Sequence, residues 1–213
     1  TCEAAAGMGL FDKVYAVTDD ERIKDTVTAA GIPCIMSSRE HETGSDRIAE
    51  AVQDIECDIV VNIQGDEPFT RREVIEQVLR PFYEKDGESV DLSTLKEEMT
   101  SQEEIHNPNN VKVITDIDGY ALYFSRTPLP YLRDPSTSAR WWRHIGIYAF
   151  RRQALEMFSS WPMGELEAAE KIECLRFLEH GRRIKVVETS GMRVSIDTPE
   201  DLALAEQILG SRL

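Results

Sequence analysis

The stretch Asp58-Ile59-Val60-Val61-Asn62-Ile63-Gln64-Gly65-Asp66-Glu67-Pro68 decides the fold. Its first half is nearly continuous apolar sequence, as expected of a central strand covered on both faces. Its second half turns at once into glycine, carboxylates and proline, the composition of a tight turn. The rest of the chain alternates such β-branched runs with amphipathic helical stretches, which marks an α/β architecture with a mostly parallel sheet.

Toward the N-terminus, Val14-Tyr15-Ala16-Val17 reads as the first strand. Thr18 then opens a helix, with Glu21 completing a capping box, and Gly31 stops it. Ile32 to Met36 reads as the next strand. A polar loop from Ser37 to Gly44 leads to a helix over Asp46 to Asp54. Cys34 and Cys57 fall in apolar, strand-like segments and read as small buried hydrophobes.

Toward the C-terminus, Thr70 and Glu73 make a second capping box for a helix ending near Tyr83. Val111 to Thr115 and Tyr120 to Phe124 flank Asp116-Ile117-Asp118-Gly119, a hairpin turn. Residues 125–142 form a proline-containing connection, and His144 to Phe150 is a strand. Helices follow at 151–158 and 165–180, the second stopped by Gly181, and Arg183 to Glu188 is a strand. Thr198-Pro199-Glu200-Asp201 opens the last helix, with proline at its favoured first position. A single domain over 1–213, with 107–142 projecting as a hairpin arm, is the simplest organisation.

The 213 residues suffice for one domain with a complete core. With 41% hydrophobic and 30% charged residues, the composition argues against disordered, collagenous and membrane classes. No apolar run approaches the roughly 20 residues that span a bilayer, and Thr1 to Ala6 does not resemble a signal peptide. The net charge of −15 and the lack of a basic patch argue against nucleic acid as a partner. An acidic protein can still bind a triphosphate if something offsets the repulsion, and a divalent cation held by carboxylates is the usual answer. The four cysteines, Cys2, Cys34, Cys57 and Cys174, are too far apart in sequence for a C-x-x-C site.

In open α/β sheets, ligands bind beyond the carboxyl ends of strands. That selects Thr18-Asp19-Asp20, Gln64 to Pro68, and Ile196-Asp197-Thr198-Pro199. Asp66 stands out because it follows a buried strand and a glycine that lets a ligand or metal approach the backbone. The alternative is a turn aspartate bonding its own backbone. Asp197 has the same two readings, as a ligand or as a cap. Two carboxylates at the ends of different strands suit magnesium, which takes one or two carboxylates with waters and phosphates. His41-Glu42-Thr43-Gly44-Ser45-Asp46-Arg47 gathers a glycine, hydroxyls and an arginine at a helix start, suited to a polar or anionic ligand or to a plain capped helix. Arg126, Arg143 and His144 are candidate cations for an acidic substrate. Tyr148, four residues after His144, shares its face of the strand; a core tyrosine beside an edge histidine is the structural alternative.

With these residues in view, the chain resembles the CMP-Kdo synthetases across essentially its whole length. The matching stretches are VTDDERI (17–23), HETGSDRIAE (41–50), IVVNIQGDEPF (59–69), NPNNVKV (107–113), ALYFSRTPLPY (121–131), RHIGIYAFRR (143–152), LEAAEKIECLRFLEHG (166–181) and IDTPEDL (196–202). The order and spacing of QGDEP and HIGIY are highly specific. The resemblance implies a Rossmann-like nucleotidyltransferase three-layer sandwich. It also implies attack of the anomeric 2-hydroxyl of Kdo (3-deoxy-manno-octulosonate) on the α-phosphate of CTP, giving CMP-Kdo and pyrophosphate. It assigns Mg2+ to Asp66 and Asp197, the nucleotide to Ser45, Asp46, Arg47, Gln64 and Gly65, and the acid sugar to Gln64, Arg126, His144, Tyr148 and Glu173. It implies a cytoplasmic homodimer joined through the hairpin region and a place in lipopolysaccharide assembly.

Two departures accompany the match. The family opens with a strand and a glycine-rich basic loop of the type ARxxSxRLPGK, and these 213 residues begin after it, for which truncation is the expected reason. Cys174 stands where members commonly carry glutamine after the glutamate, which puts the fine sugar contacts in question. The rival readings are a cytidylyltransferase for a sialic acid or an amino-substituted Kdo, and a non-catalytic nucleotide-binding paralogue. QGDEP and HIGIY favour Kdo, Cys174 leaves the amino variant open, and a pure binder need not keep both Asp66 and Asp197.

Overall fold

A computed structural model describes residues 1–38, 40–134, 136–191, 196, 203 and 205–207. The chain divides into two units: Thr1–Asp54 with Ile63–Glu76 and Gly191–Leu213, and Ile55–Asn62 with Gln77–Ser190.

The first unit opens with helix α1 (Cys2–Gly7) and a βαβ arrangement. Strands β1 (Ala16–Thr18) and β2 (Cys34–Met36) pair in parallel, and α2 (Glu21–Ala29) joins them. Thr18 was expected to open α2, but the ladder holds it in β1: its carbonyl accepts from Ser37 N at 2.9 Å. The helix therefore starts later, and Asp20 caps it, accepting from Arg22 N at 2.8 Å. Gly31, at φ +77°, supplies the left-handed stop that the sequence indicated. Helix α3 spans Gly44–Ala51 and starts before Asp46 because Thr43 is its cap. The Thr43 hydroxyl accepts from Asp46 N at 3.1 Å and donates to the Asp46 carboxylate at 2.8 Å. Strand β3 (Ile59–Ile63), which belongs to the second unit up to Asn62, leads to the Gln64–Pro68 turn; α4 is Arg72–Leu79, passing into the second unit at Gln77 and continued there by a 3-10 turn at Arg80–Tyr83. Thr70 closes the turn by donating to the Glu67 carbonyl at 2.9 Å and does not serve as the expected helix cap.

The second unit is built on a mixed sheet in the order β6-β5-β7-β4-β8, with β3 also paired to β7. Its strands are β4 (Leu92–Met99), β5 (Lys112–Thr115), β6 (Ala121–Ser125), β7 (Trp141–Arg151) and β8 (Ile184–Glu188). Strand β4 runs parallel to β8 and antiparallel to β7. Sequence reading gave no strand here, because Ser93, Thr94 and Lys96 interrupt any apolar pattern; yet Leu92, Ser93, Thr94 and Leu95 are all buried. The hairpin β5–β6 forms as expected around Gly119 at φ +77°. Beyond its turn, Gly119 O accepts from Val186 N at 2.8 Å, tying the hairpin to β8.

Helix α5 (Gln102–His106) carries a full capping box from Ser101 and Glu104. Helices α6 (Arg152–Ser160), α7 (Glu165–Glu170) and α8 (Leu175–Glu179) cover the sheet. The single helix expected at 165–180 is two helices, because Lys171 turns into the left-handed region at φ +53°. The carbonyls freed at that break have a partner: Arg126 donates to Glu170 O at 2.7 Å and to Lys171 O at 3.3 Å. The core runs through Phe150, Phe158 and Phe177, all buried and in mutual ring contact. Each such side chain contributes roughly 1.5–3 kcal/mol of burial. Inside it, Glu167 and Arg176 form a two-pronged ion pair, both contacts at 2.7 Å, with the guanidinium over the Phe158 ring.

Of the cysteines expected in the interior, Cys34 and Cys57 are only half-buried, and Cys57 lies before β3 in no strand. The last helix expected from Thr198 begins outside the described residues; Ala203 and residues 205–207 are helical. Among the described residues, no helix is long and apolar enough to cross a membrane.

Candidate active site

In the first unit, Gln64, Gly65 and Asp66 sit where expected, in the turn directly after β3. Besides the Thr70 contact, hydrogen bonds to its backbone carbonyls hold that turn. Glu67 N donates to Gln64 O at 3.1 Å, Thr1 Oγ1 donates to Gly65 O at 3.0 Å, and Ile196 N donates to Asp66 O at 2.9 Å. The last is informative, because Ile196 immediately precedes Asp197 in the chain. Asp197 itself lies outside the described residues. Ser45, Asp46 and Arg47 occupy the first turn of α3, with Ser45 buried. The Arg47 guanidinium pairs in two-pronged fashion with Asp19, at 2.5 and 2.9 Å. That pairing is the leading reason the Asp19 carboxyl is held below its usual range.

Sequence reasoning did not find the support beneath α3. The Glu50 carboxylate accepts from Ser38 N at 2.9 Å, and it also bonds the Ser38 hydroxyl and His41 Nε2. The Ser38 hydroxyl bond, then His41, hold Glu50 down to about 2. The only signal in the sequence is the spacing of His41 and Glu50 across the helix start, which admits many other readings.

In the second unit, His144, Tyr148 and Cys174 come together. The His144 ring lies 4.9 Å from that of Phe124 and 5.4 Å from that of Tyr148. His144 Nε2 lies 2.9 Å from Thr94 Oγ1. The residue keeps some solvent exposure, yet its ring is enclosed, and this desolvation lowers its pKa to about 3. That environment favours the neutral imidazole, whereas the sequence reading counted His144 among the candidate cations for an acidic substrate. Tyr148 is buried, and its hydroxyl bonds the Cys174 thiol. Burial, and next the Glu173 carboxylate, push that thiol well above its normal value. The residue that departs from the family pattern thus meets a residue of the expected sugar set.

Arg126 has other partners. Besides capping α7 it donates to Pro108 O at 3.0 Å, and its amide donates to the Glu170 carboxylate at 3.0 Å. Its own carbonyl accepts from Lys112 Nζ at 2.7 Å, and the same ammonium takes Asn107 O and Asn110 O, both at 2.8 Å. Arg143 pairs with Glu97 at 2.7 Å.

Among the described residues, no group of three or more histidines, cysteines or carboxylates is gathered to hold a metal. The donor chemistry at the β3 turn suits magnesium, which needs only one or two carboxylates and draws its remaining oxygens from water and phosphates. Asp66 supplies one such group, with one carboxylate oxygen shielded from solvent, on a turn that reaches the chain just before Asp197.

The order of these elements defines a class. The protein-family model described as cytidylyltransferase matches residues 1–184, and the chain belongs to that family. Its relatives narrow the class. It is 54% identical over 98% of its length to the 3-deoxy-manno-octulosonate cytidylyltransferase of Christiangramia forsetii, covering 84% of that protein. It is 53% identical over 98% of its length to the enzyme of the same name from Flavobacterium johnsoniae, covering 86% of it. Its structure superposes on that of CMP:2-keto-3-deoxy-manno-octonic acid synthetase complexed with CTP, with a TM-score of 0.91 and 35% identity, covering 100% of this chain and 86% of that one. A 4-diphosphocytidyl-2C-methyl-D-erythritol synthase from Anaerococcus prevotii, with a TM-score of 0.62 and 16% identity over 98% of this chain and 86% of that one, shares the fold.

Proposed function

We propose that this chain transfers CMP from CTP to the anomeric 2-hydroxyl of Kdo. The observation that carries the reading is superposition of the whole chain, at a TM-score of 0.91, on a CMP-Kdo synthetase that holds CTP. The new O–P bond forms as the bond to pyrophosphate breaks. Little covalent work falls to the protein, so alignment and charge neutralisation dominate. The turn at Gln64 and Gly65 and the start of α3 at Ser45, Asp46 and Arg47 bind the nucleotide. Asp66 and Asp197 would hold magnesium, which when bound neutralises phosphate charge and acidifies the attacking hydroxyl. The acid sugar meets His144, Tyr148 and Glu173. Arg126 shapes this region through α7, since its guanidinium serves backbone carbonyls. The protein acts in the cytoplasm as a homodimer joined through the hairpin region and feeds lipopolysaccharide assembly.

The test is pyrophosphate release by the full-length protein with CTP, magnesium and Kdo, run beside Asp66→Ala and a metal-free control. Release that requires all three components and falls at least about a hundredfold in Asp66→Ala supports the reading. Equal turnover with a sialic acid or amino-substituted Kdo would reassign the sugar. No release with any of them would refute it.

A further inference from the structure

Thr94 has no assigned part in the reaction, yet it stands where β4 and β7 lose register. Thr94 pairs with Tyr148 while Leu95 pairs with Ile145, so Gly146 and Ile147 bulge out of the ladder. The fully buried Thr94 hydroxyl fills the gap. Its oxygen lies 3.1 Å from Ile145 O, 2.9 Å from Ile147 O and 2.9 Å from His144 Nε2. A hydroxyl has one proton, and carbonyl oxygens only accept. That proton must go to a carbonyl, or Oγ1 would face two lone-pair oxygens at contact distance with nothing between. Nε2 must then be the donor to Oγ1. The ring's other nitrogen, Nδ1, is left with its lone pair and has no hydrogen-bond partner among the described residues.

We propose that Thr94 is a positioning residue that fixes His144 as the Nε2–H tautomer, so that Nδ1 accepts a hydrogen bond from a hydroxyl of the acid sugar and does not pair with its carboxylate. The sugar's identity rests on the Kdo reading above; the tautomer does not. The bulge supplies the geometry, because it turns His144 toward Tyr148 and places the Thr94 hydroxyl behind the imidazole. Specificity follows from the same arrangement. A lone pair facing the sugar rejects a carboxylate oxygen and selects an O–H.

The test is long-range proton–nitrogen NMR on full-length protein labelled at histidine nitrogens, with His144→Gln identifying the His144 signals among the four histidines. The expected wild-type pattern near neutral pH is a protonated Nε2 and an unprotonated Nδ1, with Nδ1 shifting when Kdo is added. Thr94→Val should mix the tautomers and raise the KM for Kdo roughly tenfold with a smaller change in kcat, and Thr94→Ser should restore both. Because the wild-type spectrum needs no variant, a Thr94→Val protein that fails to fold leaves the test intact. A protonated Nδ1 in the wild type would overturn the proposal whatever the activity. Normal Kdo turnover with an unmoved Nδ1 signal would overturn the hydroxyl contact while the Kdo reading stood. Absence of Kdo-dependent pyrophosphate with the predicted spectrum would instead remove the sugar from the proposal and sink the Kdo reading separately.

Discussion

The rings of His144 and Tyr148 lie 5.4 Å apart, tilted by 52°, although three residues separate them along β7. In a regular strand their Cα atoms would be about 13 Å apart. The bulge opposite Thr94 and Leu95 lies between them, and the rings form a row from Phe124 through His144 and Tyr148 to Phe150. Neighbouring rings displace water, and the imidazole loses its proton as a result.

That enclosure makes stability depend on pH. Enclosure lowers the His144 pKa to about 3 in the folded protein, against an ordinary value of 6.5. Between those values the unfolded chain binds a proton that the folded chain refuses, so stability rises with pH through the window and is lost as pH falls. The slope is at most about 1.4 kcal/mol per pH unit, and less for a partly exposed residue. Glu50 loses its own contribution only below its unfolded value of 4.5, as pH falls toward about 2. Urea unfolding at pH 6.5 and 4.5 should show the wild type losing roughly 1–2 kcal/mol more than His144→Gln. The other histidines are common to both proteins and cancel; parallel losses would contradict the assignment.

The Cys174 thiol should be inert. It is buried, bonded to Tyr148, and pushed well above its normal pKa, so little thiolate is available. Titration of the native protein with a disulfide reagent should leave Cys174 unmodified until denaturant is added, as peptide mapping would show. Rapid labelling of Cys174 in the native protein would refute this burial.

Breaking the Glu167–Arg176 pair should be costly. Both side chains are almost fully buried, at 2% and 3% exposure. Glu167→Ala leaves a guanidinium in the aromatic core without its anion, which costs about 3–5 kcal/mol. A chemical denaturation midpoint within error of the wild type would rule this out. Replacing both residues with apolar groups of similar volume should recover much of the loss.

Lys112 should matter to stability through its ammonium. It is fully buried, and its charge is offset by three backbone carbonyls. Burial, and next Arg126, lower its pKa. Lys112→Met keeps the volume but strands those carbonyls, at about 3 kcal/mol. The loop at Asn107–Asn110 should also exchange amide protons faster, as hydrogen-exchange mass spectrometry would detect. Unchanged stability and protection would show that water replaces the ammonium.

The sequence by itself determined the local elements. β-Branched runs, Gly31 and Gly119 at positive φ, and the turn after β3 follow from the residues in place, because backbone sterics act over a few positions. It also placed Gln64, Gly65, Asp66 and the start of α3 at strand or helix ends. Only the tertiary structure decided what depends on distant partners. Strand β4 exists because β7 and β8 flank it, despite a polar sequence with no period. Thr18 stays in its strand because β2 pairs with it. Arg126 serves the carbonyls of α7 because Lys171 breaks a helix that its neighbours alone would continue. The neutral form of His144 is favoured because its ring is enclosed. These outcomes turn on desolvation and hydrogen bonding between residues far apart in the chain, and local sequence pattern does not encode such distances.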